Sequence, residues 1–453
     1  MSKKSTLEDK EILKLTEWEV ANFHLPPVTT VTFYEGVAPV EFLRSRITRM
    51  LEKNPWLTSR IVKKPTTDGV PMMAYSKKVD VESALSQHFS VYEPGEVGFS
   101  LGMPYAELVR CLLPVQCARS KAATDKDEVL FKVAIVPIEA GPEESDQSTP
   151  LQHTISLPGF ALVVSMNHTM GDGHTYYQLY NMLSADSEVI KLDPVRVAGF
   201  EAAKTEIIGE KETAMFKSAG LAFGIVGTYF GTKLGRRAPQ NICVNEVDPA
   251  WAAMVKARAK QEGQVPFVST NDALTSWFFR EMGADTNLML ANFRSRQPSV
   301  LNLAEHHVGN YEANLPYFPG DVETPALIRQ SIRNPDGTFR ACRAGSPTTE
   351  IPGFGTLLHN KTAIITNWAT FYRDVNLLDD AQNNKGNSAK PMLHLPILEP
   401  DGMITSVWNN AVVFRPRAGE LGMLIISRRF DSDMLIQRKE QDGLDAPLGK
   451  RIV

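Results

Sequence analysis

The stretch SMNHTMGDGHTYY, residues 165–177, places a histidine and an aspartate four positions apart after an apolar run. A neutral imidazole can act as a general base near neutral pH, which suits His168 to proton abstraction. Asp172 could fold back to fix the turn, or pair with a cation from elsewhere. Glycines on both sides of Asp172 permit a tight bend. The same pattern fits a helix capped by Asp172 after a satisfied core histidine, so spacing alone leaves both interpretations open.

The segments around this motif indicate a strand before it and a helix after it. Residues 160–166 form a short apolar run typical of a buried strand. Apolar positions after the motif predict an amphipathic helix that begins near Gly173. Earlier, residues 28–34 predict a strand, and the apolar spacing from Pro39 predicts a helix. Strands and helices therefore mix from the start of the chain, which favours an α/β protein.

Strand signals then stop until Ile242, where a second set of elements begins. Because 453 residues exceed the size of one growing core, we expect two lobes. The first spans residues 1–205 and carries the motif, residues 206–240 cross over, and residues 241–453 form the second. We also expect a segment near 360–380 to pack with the first lobe. The second lobe is predicted to hold helices at 249–260 and from about 270, and strands at 288–293, 363–368, 403–414 and 421–427.

Composition limits the function. Apolar residues make up 43% and charged residues 22%, as in folded globular proteins. The net charge of -4 comes without a long Lys/Arg run, so a nucleic-acid partner is not expected. Four cysteines without a CxxC pair indicate reduced thiols, and the N-terminus lacks an apolar signal segment, which together predict a cytoplasmic protein.

A glycine-rich stretch at residues 218–235 is uncharged between Lys217 and Lys233. It is too short to span a membrane. It either packs under a lobe or lines an acyl pocket, which is the favoured interpretation, or it contacts a membrane surface.

No metal site is predicted. Glu305, His306 and His307 are adjacent, but neighbouring histidines in a strand point to opposite faces, and a third well-spaced ligand is missing. We expect this trio in a loop or on the surface. His174, beside the motif, is expected to face solvent.

Residues 168–173, HTMGDG, resemble the HxxxDG signature of the chloramphenicol-acetyltransferase-like superfamily. The wording MNHTMGDG is most similar to the BAHD acyl-CoA-dependent acyltransferases. Four further stretches resemble that family in its order along the chain, although its DFGWG block is absent: FLRSRITRMLEKNPWLTSRIV, VSTNDALTSWFFREMG, ANFRSRQPSVLNLAEHHVGNY and ITNWATFY.

The resemblance implies a two-lobe chloramphenicol-acetyltransferase-like fold, each lobe a mixed sheet flanked by helices, with an active-site channel between the lobes. It implies transfer of an acyl group from acyl-CoA to a small-molecule hydroxyl or amine, without an acyl-enzyme. The donor is then a substrate, no tightly bound cofactor is expected, and the protein is expected to be a monomer.

The resemblance also implies roles for individual residues. His168 is the general base. Asp172 pairs with an arginine of the second lobe, for which we choose Arg294 over Arg296, and this pair supports the turn together with Gly173. Thr366 and Trp368 line the substrate pocket and help to hold the oxyanion.

Two other functions stay open. One is a carrier-protein-dependent or condensation-type acyltransferase, against which Asn167 argues, because that branch commonly has a second histidine there. The other is a catalytically inactive binding or scaffold relative, against which the intact HTMGDG argues.

Overall fold

The computed structural model describes residues 10–63, 69–98, 103–138, 159–235, 240–296, 300–343, 361–377, 389–399, 405, 407–429 and 446–453. Its strands are β1 Lys10–Lys14, β2 Val28–Glu35, β3 Arg60–Val62, β4 Met72–Ser76, β5 Phe89–Val91, β6 Phe131–Pro137, β7 Gly159–Met166, β8 Asn241–Val247, β9 Thr286–Asn292, β10 Glu312–Tyr317, β11 Thr362–Asn367, β12 Lys390–Pro396, β13 Asn409–Phe414, β14 Gly422–Ser427 and β15 Leu448–Arg451. Its helices are α1 Glu17–Ala21, α2 Val40–Lys53, α3 Val81–His88, α4 Tyr105–Leu112, α5 Ser120–Ala123, α6 Gly173–Asn181, α7 Phe200–Ile208, α8 Glu210–Phe216, α9 Ala219–Lys233, α10 Pro249–Glu262, α11 Thr270–Met282 and α12 Pro325–Ile332. Short 3₁₀ turns lie at Pro55–Thr58, Leu113–Val115 and Pro319–Asp321.

The first lobe is built on a five-stranded sheet of order β12-β2-β7-β6-β5. Strands β2 and β7 are antiparallel, with Val28 opposite Met166. Helices α2 and α6 cover one face, where Leu43 and Ile47 join Tyr176 in one apolar cluster. A smaller sheet of order β1-β4-β3 adjoins this lobe. The sheet thus delivers the end of β7, and with it the HTMGDG turn, to the edge of a packed core.

The second lobe is built on a seven-stranded sheet of order β10-β9-β11-β13-β14-β8-β15. Helices α10 and α11 bury Trp251 and Phe278 against one face. The other face meets the first sheet, where Val31 and Val163 share an apolar cluster with Val412. The two sheets are therefore held together by a shared apolar layer.

After β11 the chain passes from the second lobe back to the first. Strand β12 leaves the second lobe and pairs antiparallel with β2 of the first, with His394 opposite Thr32. Before it, Tyr372 and Val375 pack in the first lobe's core. Helix α7 runs through the lobe limit expected at residue 205, and Phe200 at its start packs in the second lobe's core. Of the strand expected at 403–414, β13 covers Asn409–Phe414, while residues 400–404 and 406 lie outside the described residues.

The glycine-rich stretch forms helix α9, which Ser218 caps by accepting a hydrogen bond from the Leu221 N–H. Gly220 and Leu221 on one side are buried, while Phe223 and Phe230 are 61% and 57% exposed. In the part of the chain that the structure describes, no helix combines the length and the hydropathy needed to cross a membrane.

Candidate active site

Hydrogen bonds between the Asn167 side chain and the backbone shape the turn that carries His168. The Asn167 side chain accepts from the Thr169 N–H at 3.0 Å and donates to the Ala118 carbonyl at 2.7 Å. A Cβ on Gly171 would lie 2.6 Å from the Thr175 side chain, so only glycine fits this position without a shift. The turn is thus fixed at its start and at its end.

His168 itself is partly exposed. Its ring lies 6.1 Å from the Trp18 ring, and its Nδ1 is buried with no hydrogen-bond partner among the described residues. Burial lowers the pKa of His168 below 6.5, against smaller opposing effects from its own carbonyl, Asp172 and Asn310. The imidazole is therefore neutral near pH 7, which is the form a general base requires.

A polar network that sequence reasoning missed holds the backbone of the turn. The Asn310 side-chain amide donates to the His168 carbonyl at 3.0 Å, and Arg196 donates to the Thr169 carbonyl at 2.8 Å. Glu19, which is buried, accepts from Arg196 at 2.9 Å and from Asn310 at 3.1 Å. The Gly-Asn pair at residues 309–310 was a signal that could have led to Asn310. No pattern in the sequence pointed to Glu19 or Arg196.

The structure brings Asp172 and Arg294 together. Their side chains are 1% and 0% exposed, and Arg294 Nη1 donates to Asp172 Oδ2 at 2.8 Å. The same carboxylate accepts from the backbone N–H groups of Thr175 at 3.0 Å and Tyr311 at 2.9 Å. Burial alone would raise the pKa of Asp172, but the charge and hydrogen bond of Arg294 outweigh it and hold the pKa below its usual value. The carboxylate therefore caps α6 and also ties the turn to the second lobe.

Arg296, the alternative partner, lies elsewhere. Its Nε donates to the Asn292 carbonyl at 2.6 Å, and its guanidinium stacks on the Phe339 ring at 5.0 Å.

Trp368 reaches the motif from the second lobe. A Cβ on Gly173 would lie 3.4 Å from the Trp368 Nε1, so the absent side chain permits this close approach. The Trp368 ring also packs 6.1 Å from the Tyr177 ring. Thr366, in β11, is partly exposed, and no hydrogen bond between described residues joins it to His168.

A cavity of about 760 Å³ lies between the lobes, along α6. His174 and Arg294 are among the described residues that line it, and His168 is not. The expectation that His174 faces solvent was wrong: it is 6% exposed and its Nε2 contacts Glu305. A histidine one position after the helix start points into the lobe interface, because α6 packs along that interface.

The expected loop or surface position of the three adjacent residues agrees with the structure, where 305 and 306 are exposed in a turn. The His306 and His307 rings do not point apart as strand neighbours would. They stack at 4.5 Å, because the segment is a turn and not a strand. Within the described ranges, no group of three or more His, Cys, Asp or Glu side chains could hold a metal ion.

No family model matches the chain, and no curated protein is significantly similar to it in sequence. Solved structures are similar along nearly its whole length. F. graminearum TRI101 complexed with coenzyme A and T-2 mycotoxin has a TM-score of 0.59 and 13% identity, covering 98% of this chain and 100% of that one. F. sporotrichioides TRI101 complexed with coenzyme A and T-2 has a TM-score of 0.54, 13% identity and the same coverage.

The first condensation domain of the calcium-dependent antibiotic synthetase, in complex with a substrate analogue, has a TM-score of 0.51 and 14% identity, covering 97% of this chain and 98% of that one. The chain has the chloramphenicol-acetyltransferase-like fold. The fold prediction made from HTMGDG and its surroundings is thereby confirmed. At these identities the likeness establishes the fold, and the chemistry must be argued from the site.

Proposed function

We propose that this chain is an acyltransferase that moves an acyl group from an acyl-CoA thioester to the hydroxyl or amine of a small molecule. The observation that carries this proposal is the neutral, partly exposed imidazole of His168, on a turn whose backbone is held by hydrogen bonds from both lobes. Structures with the same fold contain coenzyme A together with T-2 mycotoxin or deoxynivalenol, which supports coenzyme A thioesters as donors.

In the proposed reaction, His168 accepts the proton of the acceptor's O–H or N–H as the acceptor attacks the thioester carbonyl carbon. The new C–O or C–N bond gives a tetrahedral oxyanion. When it collapses, the C–S bond breaks and coenzyme A leaves as a thiolate. The imidazolium then returns its proton to that sulfur, so the cycle needs neither an acyl-enzyme nor a tightly bound cofactor.

Supporting roles follow from the contacts around the turn. Asp172, Gly173 and Arg294 hold the turn in place and do not relay protons. We assign Trp368 and Thr366 to the substrate pocket, with the indole N–H of Trp368 as a donor toward the oxyanion. The contact of Trp368 with the start of α6 supports this assignment.

A carrier-protein-dependent or condensation-type transferase is the second candidate, because a condensation domain shares the fold. Asn167 favours the coenzyme A donor over this candidate. A carboxamide is not a base at neutral pH, and the Asn167 side chain is engaged in the turn with Ala118 and Thr169. A catalytically inactive binding relative is the third candidate, and it predicts donor binding without transfer.

We further propose a cytoplasmic monomer. None of the four cysteines, all of which the structure describes, forms a disulfide, which supports a reducing compartment. Contact of residues 218–235 with a membrane surface is a weaker proposal, supported by the exposed Phe223 and Phe230. Gel filtration tests the monomeric state, and cosedimentation with lipid vesicles tests the membrane contact.

The main proposal is tested by thiol release from a series of acyl-CoAs with alcohol and amine acceptors. His168→Ala should lower kcat by about 10²–10⁴-fold while the protein stays folded, because a general base contributes on that order. His306→Ala, which removes an exposed imidazole in a turn, is the matched control and should keep full activity. Unchanged turnover in the His168 variant would refute the assignment.

A further inference from the structure

The cavity between the lobes is the right size for a small ligand. Its volume of about 760 Å³ falls within the range of ligand pockets. Its walls come from α6, the start of α11, the end of β9 with the turn after it, Glu305, the end of α12, and the end of β11 with the loop after it. It adjoins the proposed catalytic turn, because Arg294 both lines it and pairs with Asp172.

Arginines outnumber carboxylates on these walls. Five arginines line the cavity, against the carboxylates of Asp272 and Glu305: Arg294, Arg296, Arg329, Arg333 and Arg373. Two of the five are neutralised, since Arg294 pairs with Asp172 and Arg329 pairs with Asp272. Glu305 contacts His174. Three arginines therefore remain without a salt bridge to a carboxylate among the described residues.

Two of these three arginines are held at one turn of the chain. The Arg296 guanidinium stacks on the Phe339 ring at 5.0 Å, and Arg333 donates to the Gly337 carbonyl at 2.7 Å. Arg333 also forms an isolated bridge with Phe339. Burial lowers the pKa of Arg296 and the charge of Arg333 lowers it further, against a smaller opposing effect from Glu305. Two like charges are thus kept close together, which favours binding of a further anion beside them.

The third arginine, Arg373, is exposed on the loop after β11 and makes no hydrogen bond or ion pair with any described residue. The Asn271 and Asn292 side chains line the same cavity and add neutral hydrogen-bonding groups. A guanidinium has donors in a planar fork that matches the two oxygens of a phosphate or carboxylate.

We propose that this cavity is an anion-binding subsite, in which Arg296, Arg333 and Arg373 bind a phosphate or carboxylate group of a substrate. This inference rests on the proposed acyl transfer in one respect: it takes the bound anion to be part of a substrate of that reaction. Phosphate would come from a donor such as coenzyme A, and carboxylate from an acidic acceptor.

Direct binding by calorimetry tests the subsite without turnover. The probes are coenzyme A, pantetheine, inorganic pyrophosphate and malonate, each titrated at low salt. Arg296→Gln, Arg333→Gln and Arg373→Gln should each weaken an anionic probe by about 10-fold or more, because each removes charge-assisted hydrogen bonds. Arg110→Gln is the matched control, since that exposed arginine lies on α4 and bonds its own helix at the Ala106 carbonyl.

The pattern of losses identifies the source of the anion. If the variants bind coenzyme A and pyrophosphate more weakly but bind pantetheine as before, the anion is a phosphate of the donor. If they bind malonate more weakly but bind coenzyme A as before, the anion is a carboxylate of the acceptor. Arg373 is exposed, so its variant keeps the test valid where Arg296→Gln fails to fold. The subsite is refuted when no anionic probe binds, or when the three variants bind like Arg110→Gln. These titrations need no turnover, so failure of the catalytic proposal, which is measured by turnover of His168→Ala, would be seen separately.

Discussion

Replacing Asp172 by alanine removes an acceptor that receives hydrogen bonds from both lobes. The carboxylate binds Arg294 and the backbone N–H groups of Thr175 and Tyr311. Neither Asp172 nor Arg294 is accessible to water in the native protein. In the variant the guanidinium therefore stays buried without its counter-charge, and two backbone N–H groups lose their acceptor.

The cost follows from these contacts. Breaking a buried ion pair by removing one partner destabilises a protein by about 3–5 kcal/mol. Each buried donor left unsatisfied adds about 1–3 kcal/mol, although donors that share one acceptor are not additive. We expect Asp172→Ala to lower the free energy of unfolding by about 4 kcal/mol, a large part of the roughly 5–15 kcal/mol that stabilises a typical domain.

Urea unfolding followed by tryptophan fluorescence measures this loss. Glu41→Ala is the matched control, because its partner Arg44 is exposed and such surface pairs contribute about 0–1 kcal/mol. The double variant Asp172→Ala/Arg294→Met should recover part of the stability, since it leaves no unpaired charge. A loss in Asp172→Ala no larger than that in Glu41→Ala would refute the bracing role.

Three further results are expected. First, kcat/KM should rise with pH along an acidic limb whose midpoint lies below 6.5, because burial lowers the pKa of His168 and only its neutral form accepts a proton; a midpoint above 7 would contradict this. Second, Gly309→Ala should destabilise by about 1–3 kcal/mol in thermal melts, because φ is +139° and a Cβ would lie 3.1 Å from Arg196. Third, burial lowers the pKa of His88 to about 4, so the folded protein binds fewer protons than the unfolded chain. The contribution of His88 to stability is therefore full above pH 6.5 and is lost toward pH 4, by up to about 3 kcal/mol. On acidification the urea midpoint should fall less in His88→Asn than in the unmodified protein.

Local patterns predicted the strand, turn and helix around HTMGDG. A continuous apolar run predicts a buried strand, and helical spacing of apolar positions predicts the helix after the turn, so β7 and α6 follow from the sequence. The two interpretations of Asp172 turned out to be compatible. It caps α6 through the Thr175 N–H, and its second oxygen is left to receive Arg294.

Contacts between distant segments could not be predicted in the same way. Strand β12 pairs with β2 across more than 350 positions, and no local signal names that partner. The burial of His174 depends on the second lobe lying along α6, a packing that helical periodicity alone does not determine. The cavity arginines come from three separate elements, so their shared charge exists only after folding.

His168 is held in place differently from a catalytic histidine whose ring is hydrogen-bonded to a carboxylate. The carboxylate oxygens of Asp172 accept hydrogen bonds from Arg294 and from backbone N–H groups. Asn310 and Arg196 donate hydrogen bonds to the carbonyls of the turn. The position of the imidazole is therefore set through its backbone, and its lowered pKa comes first from burial. It follows that loss of the Asn310 side chain displaces the base more than it changes its proton affinity. Such a variant would lower kcat and shift the acidic midpoint of the pH profile only slightly, to lower pH, because Asn310 is a minor contribution that raises the pKa of His168.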